Sequence, residues 1–140
     1  MAKYVFPAIF TPEKEGGYSI AFPDVDGCFT QGKDMADSIE MAADALCLML
    51  YDMEESQKAI PAASDIKAIK CEANEIVTLI ACDTLEYRMF YDNKADKKTL
   101  TVPHWLNVMA ERKGANFSAI LQRGLKEFCG ISTEQQGTKK

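Results

Sequence analysis

The sequence lacks most of the patterns that mark enzymes with nucleophilic or phosphate chemistry. It has a single histidine, His104, among 140 residues, and it has no glycine-rich phosphate-binding loop. Its five cysteines are scattered without a Cys-x-x-Cys pair, so neither a disulfide framework nor a thiolate metal site is predicted. We expect reduced thiols that act as small apolar side chains in a cytoplasmic protein, with no catalytic residue, metal or cofactor.

Long apolar runs are absent as well. Charged residues interrupt each run well before the roughly 18 residues that a membrane-spanning helix needs. The N-terminal apolar run is also too short and too alternating for a signal peptide, and no small-residue cleavage site follows it. The length suits one domain, or one domain with a small additional module.

The distribution of charge is the most informative feature that is present. Up to Asp92 there are 17 Asp and Glu against 7 Lys and Arg, and from Asn93 onward there are 4 acids against 9 bases. These counts account for all 21 acids and 16 bases of the chain. An acidic body with a basic end predicts two partners of opposite charge.

The acidic half predicts an α+β layer with the order β-β-β-α-β. Alternating apolar residues indicate strands at 4–10, 18–22 and 28–32, and Pro7 indicates an edge strand or a position that donates no hydrogen bond. Asp34 is a good N-cap for a helix of about five turns, whose apolar stripe predicts core packing. That stripe comprises Ile39, Ala42, Ala43, Leu46, Met49, Leu50 and Met53.

Three further segments complete the acidic half. Residues 61–74 read as a loop with one helical turn capped at 64–65, and residues 75–83 are rich in β-branched side chains and predict a buried strand. Residues 84–96 predict a short helix that frays into a linker between the two halves.

The basic end predicts one short strand and two amphipathic helices. Pro103 suits the first turn of a helix over 104–114, and Gly114 is a natural residue to end it. Asn116 then caps a second helix that ends at Gly130. So small a set of elements cannot bury its apolar side chains alone, but two copies can. The predicted dimer core comprises Leu100, Val102, Leu106, Ile120, Leu121 and Leu125.

Pairing of this strand with its twin would create a two-stranded ribbon. Because side chains alternate along a strand, Lys97, Thr99 and Thr101 would then point away from the dimer core. Such a ribbon fits the major groove of DNA, where Lys and Thr reach base edges. N–H groups at the start of the second helix, around Asn116, Phe117 and Ser118, would bind a phosphate.

These features resemble two known families. The segment from Lys97 to Gly130, with strand, proline, helix, Gly-x-Asn turn and helix, resembles the ribbon-helix-helix repressors. Residues 6–32 and the capped helix at 34–46 resemble the HicB family of antitoxins. Residues 91–107 and 116–128 resemble the longer members of that family, and the two halves stand in the family's order.

The resemblance implies a fold and two partners. Residues 1–92 would form a truncated ribonuclease-H-type domain that binds HicA, a small basic toxin that cleaves mRNA, and covers its catalytic histidine. Residues 93–131 would form a dimeric ribbon-helix-helix module that binds and represses the operator of its own operon, followed by a disordered tail at 132–140. The minimum DNA-binding unit is then a homodimer, and two dimers on a palindrome would make a tetramer.

The candidate contacts to the toxin are carboxylates in two loops and two aromatic side chains. Complementary charge would mainly speed association with a basic partner, and aromatic rings commonly anchor interfaces. The alternative is that the carboxylates are solvated turn residues and that at least one ring is buried. The candidates are Glu13, Glu15, Tyr18, Asp24, Asp26 and Phe29.

Several alternatives stay open. A metal-dependent ribonuclease would need converging carboxylates, but Asp24 and Asp26 sit in a turn and Asp34 reads as a helix cap. The two C-terminal helices could form a helix-turn-helix, although no third helix follows, or they could serve dimerisation without DNA. The chain could also be an orphan regulator that has no toxin partner.

Overall fold

The computed structural model describes residues 2–92 and 94–131, and the chain divides into two compact units, 1–93 and 94–140. The predicted tail at 132–140 lies outside the described residues. The helices long enough to be tested among the described residues contain no segment apolar enough to cross a membrane.

The first unit is an antiparallel four-stranded sheet with a helix on one face. Its strands are β1 (Lys3–Pro12), β2 (Tyr18–Ala21), β3 (Phe29–Gly32) and β4 (Ile76–Asp83), and they lie in the order β3-β2-β1-β4. The helices are α1 (Met35–Glu55), which follows β3, and α2 (Thr84–Tyr91), which follows β4 directly. The predicted order β-β-β-α-β is therefore confirmed in this unit.

Pro7 lies in an internal strand rather than an edge strand, so of the two alternatives the structure fits a position that donates no hydrogen bond. β1 pairs with β4 over Lys3–Phe10 but with β2 only over Ile9–Pro12. Pro7 stands opposite Leu79 of β4 and beyond the region that β2 reaches. An internal strand tolerates this proline because it has one ladder neighbour at that point.

The core lies between α1 and one face of the sheet. Phe6, Ala8 and Phe10 of β1 alternate inward and are almost fully buried. From α1, Ala42, Leu46 and Leu50 complete the core, and the side chains of Ala43, Met49 and Met53 pack against it. Ile39 is an exception to the predicted stripe, because it is 47% exposed near the first turn of the helix.

β4 is half buried rather than buried throughout. Ile80 and Cys82 enter the core, whereas Ile76 and Leu79 are 42% and 51% exposed. β4 is an edge strand, and Leu79 lies on the face that α1 does not cover, whereas Ile76 lies on the covered face, opposite Phe10, and is the first residue of the strand. The β-branched composition correctly predicted a strand, but it did not indicate whether one face or both faces of that strand would be buried.

The caps of the first unit agree with the sequence. The Asp34 carboxylate accepts a hydrogen bond from the N–H of Asp37 at 2.8 Å and begins α1. Asp65 caps a 3₁₀ turn at Ile66–Ala68 by accepting from the N–H of Lys67. Asp83 caps α2 by accepting from Leu85 and Glu86. Side-chain oxygens thus satisfy the first N–H groups of each element.

The second unit contains α3 (His104–Arg112) and α4 (Phe117–Phe128). Gly114 and Gly130 follow the helix ends with φ of 71° and 74°, a left-handed conformation that glycine adopts without strain. Pro103 is the residue immediately before α3. Residues 94–103 form no regular element in the single chain. A β-strand is recognised by its hydrogen bonds to a neighbouring strand, and the predicted ribbon takes that neighbour from a second copy of the chain. The ribbon therefore stays a prediction.

Candidate protein-binding and DNA-binding surfaces

The acidic loop residues do not form one patch. Glu13 and Glu15 lie in the turn between β1 and β2, whereas Asp24 and Asp26 lie in the loop between β2 and β3. The whole length of β2, about 13 Å for four residues, separates the two loops. Glu13 accepts a hydrogen bond from the hydroxyl of Ser19, so that carboxylate already supports the hairpin.

Asp24 also has a partner inside the chain. Its Oδ2 accepts from the backbone N–H of Ser64 at 2.9 Å, and its Oδ1 accepts from the Ser64 hydroxyl at 2.5 Å. These bonds fasten the long segment between α1 and β4 to the β2–β3 loop. Asp26 is exposed, and none of the side-chain hydrogen bonds seen among the described residues involves it.

The two candidate aromatic anchors lie on opposite faces of the sheet. Tyr18 pairs with Pro12 on the covered face, and its ring centroid is 6.2 Å from that of Phe10 in the core. Phe29 pairs with Ala21 on the uncovered face and is 72% exposed. One ring is therefore partly buried, and the other is open to a partner.

The uncovered sheet face carries several apolar side chains. Register and alternation place Val5, Leu79 and Phe29 on this face, and they are 49%, 51% and 72% exposed. Its charges are balanced at the edge, where Lys3 stands opposite Asp83. The face is thus apolar and nearly neutral.

A second exposed surface, which the sequence analysis did not single out, lies where α1 meets α2. We call it the aromatic surface, and it comprises Leu48, Tyr51, Tyr87, Phe90 and Tyr91. The ring of Tyr87 lies 5.4 Å from Tyr51 and 4.5 Å from Tyr91, and Phe90 contacts Tyr91 edge-on at 4.7 Å. Leu48, Phe90 and Tyr91 are 55%, 47% and 56% exposed.

Acidic residues surround the aromatic surface. α1 contains six Asp and Glu residues and no Lys or Arg, and α2 adds Glu86 against a single arginine, Arg88. Arg88 lies over the ring of Tyr51 at 4.6 Å and pairs with Glu54 and Glu55. Burial raises the pKa of Tyr87, and the nearby Tyr91, Cys47 and Asp44 raise it further.

Glu54 joins α1 to the end of the sheet where β1 begins and β4 ends. Its Oε2 lies 2.9 Å from the phenol of Tyr4 and 2.9 Å from the hydroxyl of Thr84, and its Oε1 pairs with Arg88 at 3.1 Å. Burial acts to raise the pKa of Glu54, but hydrogen bonds from Tyr4, Arg88 and Thr84 outweigh it and help to lower that pKa to about 2. The charged carboxylate is therefore part of the fold.

The candidate DNA-contact residues lie in exposed backbone. Lys97, Thr99 and Thr101 are all exposed in the single chain. Asn116 caps α4, since its side-chain oxygen accepts from the N–H of Ala119 at 3.1 Å. The N–H groups of Phe117 and Ser118 belong to the first turn of α4, where no carbonyl of the helix can accept from them.

The second unit exposes apolar side chains on both helices. None of its described residues is buried. The six predicted core residues are between 37% and 64% exposed, and four further large apolar side chains are exposed with them. The exposed set comprises Leu100, Val102, Trp105, Leu106, Met109, Phe117, Ile120, Leu121, Leu125 and Phe128.

The described residues bring together no cluster of three or more His, Cys, Asp or Glu side chains that could hold a metal ion. His104 is the first residue of α3, away from the acidic unit in sequence.

An acidic sheet-and-helix unit joined to a basic helical unit defines a two-unit binding protein of mixed α/β class. The model of one family matches most of it, over residues 6–123, and that family is the HicB-like antitoxin of bacterial toxin-antitoxin systems. This chain belongs to that family.

Two curated relatives agree with the family model. The chain is 35% identical over 63 residues to antitoxin HicB of Escherichia coli strain K12. The matched region covers 45% of this chain and 46% of the relative. It is 29% identical over 89 residues to antitoxin HicB 1 of Photorhabdus laumondii, over 64% of this chain and 56% of the relative. The chain thus spans about half the length of the curated relatives it matches.

Solved structures share the fold. A chain of the toxin-antitoxin complex from Streptococcus pneumoniae is 24% identical with a TM-score of 0.59, over 89% of this chain and 98% of that chain. The antitoxin HicB of Burkholderia pseudomallei is 18% identical with a TM-score of 0.52, over 87% and 96%. The mixed antiparallel architecture is therefore that of HicB antitoxin structures.

Proposed function

We propose that this chain neutralises a small basic HicA-type toxin with its acidic unit and represses its own operon with its basic unit. Membership of the HicB-like family supports the first role, as does the likeness in fold to a chain of a solved toxin-antitoxin complex. The excess of acids over bases up to Asp92 suits a partner that binds RNA and must itself be basic.

The observation that carries the second role is the exposure of the C-terminal apolar residues. Leu100, Val102 and Leu125 are each at least half exposed in the single chain, and exposed apolar surface of this extent marks an interface. A second copy would bury these residues if the strands around Leu100 paired across a two-fold axis. We infer that the second unit forms a ribbon-helix-helix dimer. For the first unit we propose the truncated ribonuclease-H-type fold that the sequence resemblance implies.

The proposed contacts follow from this arrangement. The ribbon would present Lys97, Thr99 and Thr101 to the major groove, while the first turn of α4, at residues 116–118, would hold a phosphate. Toward the toxin, the contacts predicted from sequence are the exposed Glu15, Asp26 and Phe29, the partly buried Tyr18, and Glu13 and Asp24, whose carboxylates already accept hydrogen bonds inside the chain.

Co-expression tests the antitoxin role directly. The reading frame beside this gene is expressed in a bacterial host alone and together with this chain, and growth and co-purification are measured. We expect the neighbouring product to be small, basic and toxic alone, and harmless and co-purified when this chain is present. Undiminished toxicity with both proteins in soluble form would overturn the antitoxin role.

A further inference from the structure

The aromatic surface between α1 and α2 has the composition of an interface rather than of a solvated helix face. Tyrosine and arginine are enriched where interfaces are most strongly bound, and this surface combines three tyrosines, a phenylalanine and Arg88. The ring contacts of 4.5–5.4 Å hold these side chains in a continuous layer. Preorganised rings lose little conformational entropy when a partner packs on them.

Charge indicates which partner fits. Asp44, Leu48, Tyr51 and Glu55 follow one another at i, i+4, i+7 and i+11, so apolar and acidic side chains share one face of α1. Asp44, Asp52 and Glu55 are exposed at this face. Arg88 is neutralised by its two glutamate partners, which leaves the surroundings negative. An apolar centre with an acidic rim is complementary to a basic protein that has an apolar patch.

The uncovered sheet face is the competing candidate, and its charge does not select a basic partner. Lys3 and Asp83 are paired opposite each other at its edge, and its exposed centre is Val5, Leu79 and Phe29. The loop carboxylates that flank it are divided between opposite ends of β2, and Asp24 is held by Ser64.

We propose that the aromatic surface is the principal docking site for the basic toxin, with Leu48 and Tyr91 as its exposed anchors. The site rests on the proposed antitoxin function and adds to it the place where the toxin binds. The exposed acids around it would speed association, while the rings would slow dissociation.

A matched pair of leucines tests the proposal. Leu48 on the aromatic surface and Leu79 on the uncovered sheet face are 55% and 51% exposed, so Leu48→Gln and Leu79→Gln make the same chemical change at equal exposure. Tyr91→Gln on the aromatic surface and Val5→Gln on the uncovered sheet face, at residues 56% and 49% exposed, form a second pair. Each full-length variant is titrated with the purified product of the neighbouring reading frame, inactivated at its catalytic histidine, after circular dichroism and thermal unfolding have shown that the variant is folded.

We expect Leu48→Gln and Tyr91→Gln each to raise Kd at least tenfold, mainly through faster dissociation, and Leu79→Gln and Val5→Gln to change it less than twofold. Asp44→Asn with Asp52→Asn should slow association severalfold and leave dissociation unchanged. Unchanged Kd in the first pair, or an equal loss in the second, would overturn the site. A change of oligomeric mass with unchanged toxin binding would assign the surface to a second copy instead, which also overturns it. Failure of the wild-type chain to bind would overturn the antitoxin function itself.

Discussion

The phenol of Tyr4 donates a hydrogen bond of 2.9 Å to Oε2 of Glu54, which joins the first strand to the last turn of α1 across 50 residues of sequence. The same carboxylate oxygen lies 2.9 Å from the Thr84 hydroxyl, at the junction of β4 and α2. Arg88 of α2 pairs with the other oxygen. One charged side chain, 10% exposed, thus connects β1, α1 and α2 at this end of the sheet.

Replacing that carboxylate should destabilise the acidic unit. In Glu54→Gln the amide retains one acceptor oxygen but loses the charge that pairs with Arg88, so we expect the free energy of unfolding to fall by about 2–3 kcal/mol. Urea unfolding followed by circular dichroism measures the change. Glu55→Gln is the matched control, because Glu55 pairs with the same arginine but its side chain is 51% exposed. We expect this substitution to lower the free energy of unfolding by less than about 1 kcal/mol. Equal losses in the two variants would contradict the central position of Glu54.

Acid should remove the same stabilisation. The pKa of Glu54 is about 2 in the folded chain against 4.5 for the ordinary group, so the folded state favours the charged form. The stabilisation is fully present above the unfolded pKa, and it is lost as pH falls from about 5 towards about 2, with an upper limit of about 3 kcal/mol. Urea midpoints of wild type and Glu54→Gln should therefore converge between pH 6 and pH 3. A constant difference over that range would show that Glu54 acts through packing rather than charge.

Local pattern predicted the elements of the acidic unit, whereas their long-range relationships could not be predicted. Apolar alternation identified β1 as a strand, and Asp34 correctly marked the start of α1, because these signals lie within a few neighbouring positions. The Glu54 contacts depend on residues brought from both ends of the unit. The aromatic surface was missed for the same reason, since Tyr51 and Tyr87 meet only after β4 has returned the chain to α1. In the basic unit the helix caps can be predicted from the sequence of one chain. A ribbon cannot, because it forms only when the strands of two chains pair.

The close approach of β3 to α1 makes Gly32 essential. A Cβ at Gly32 would lie 2.2 Å from the Ser38 hydroxyl and 2.4 Å from the Ser38 Cα, which is closer than real Cβ contacts come. We expect Gly32→Ala to lower the free energy of unfolding by about 1–3 kcal/mol, because the strand and the helix must separate. Thermal unfolding measures the loss. Adding Ser38→Ala should not restore stability, since the backbone of Ser38 is itself too close to the new Cβ. Full recovery of stability in the double variant would show that the Cβ clashes only with the Ser38 hydroxyl.

The bond between Asp24 and Ser64 should control the order of the segment between α1 and β4. Ser64→Ala removes the hydroxyl that donates at 2.5 Å but keeps the backbone N–H bond, so we expect a loss of about 0.5–1 kcal/mol. Asp24→Asn weakens both bonds. Hydrogen exchange should rise around residues 61–65 in both variants and stay unchanged in Asp26→Asn, which removes a charge from the same loop. A rise in Asp26→Asn of equal size would indicate an effect of charge alone.

Two substitutions in the predicted ribbon should separate affinity for DNA from its sequence specificity. Lys97→Ala removes a positive charge from the side of the predicted ribbon that faces DNA, so the slope of log K against log salt should become shallower by about 1 on every DNA sequence. Thr99→Ala should reduce discrimination between operator and mismatched DNA by about 1–3 kcal/mol and leave the salt slope nearly unchanged. Lys14→Ala, which makes the same charge change in the turn of the acidic unit, is the control. Electrophoretic mobility shifts at several salt concentrations give both quantities.

The outcome of that experiment separates the remaining interpretations of the basic unit. If neither Lys97→Ala nor Thr99→Ala changes operator affinity while Leu100→Lys still abolishes self-association in sedimentation, the exposed apolar residues serve dimerisation without DNA. If Leu100→Lys abolishes both self-association and DNA binding, the strand must pair with the same strand of a second copy before it can bind in a groove of DNA. We expect that order of events because Leu100 is 64% exposed in the single chain, where none of the described residues of the second unit is buried.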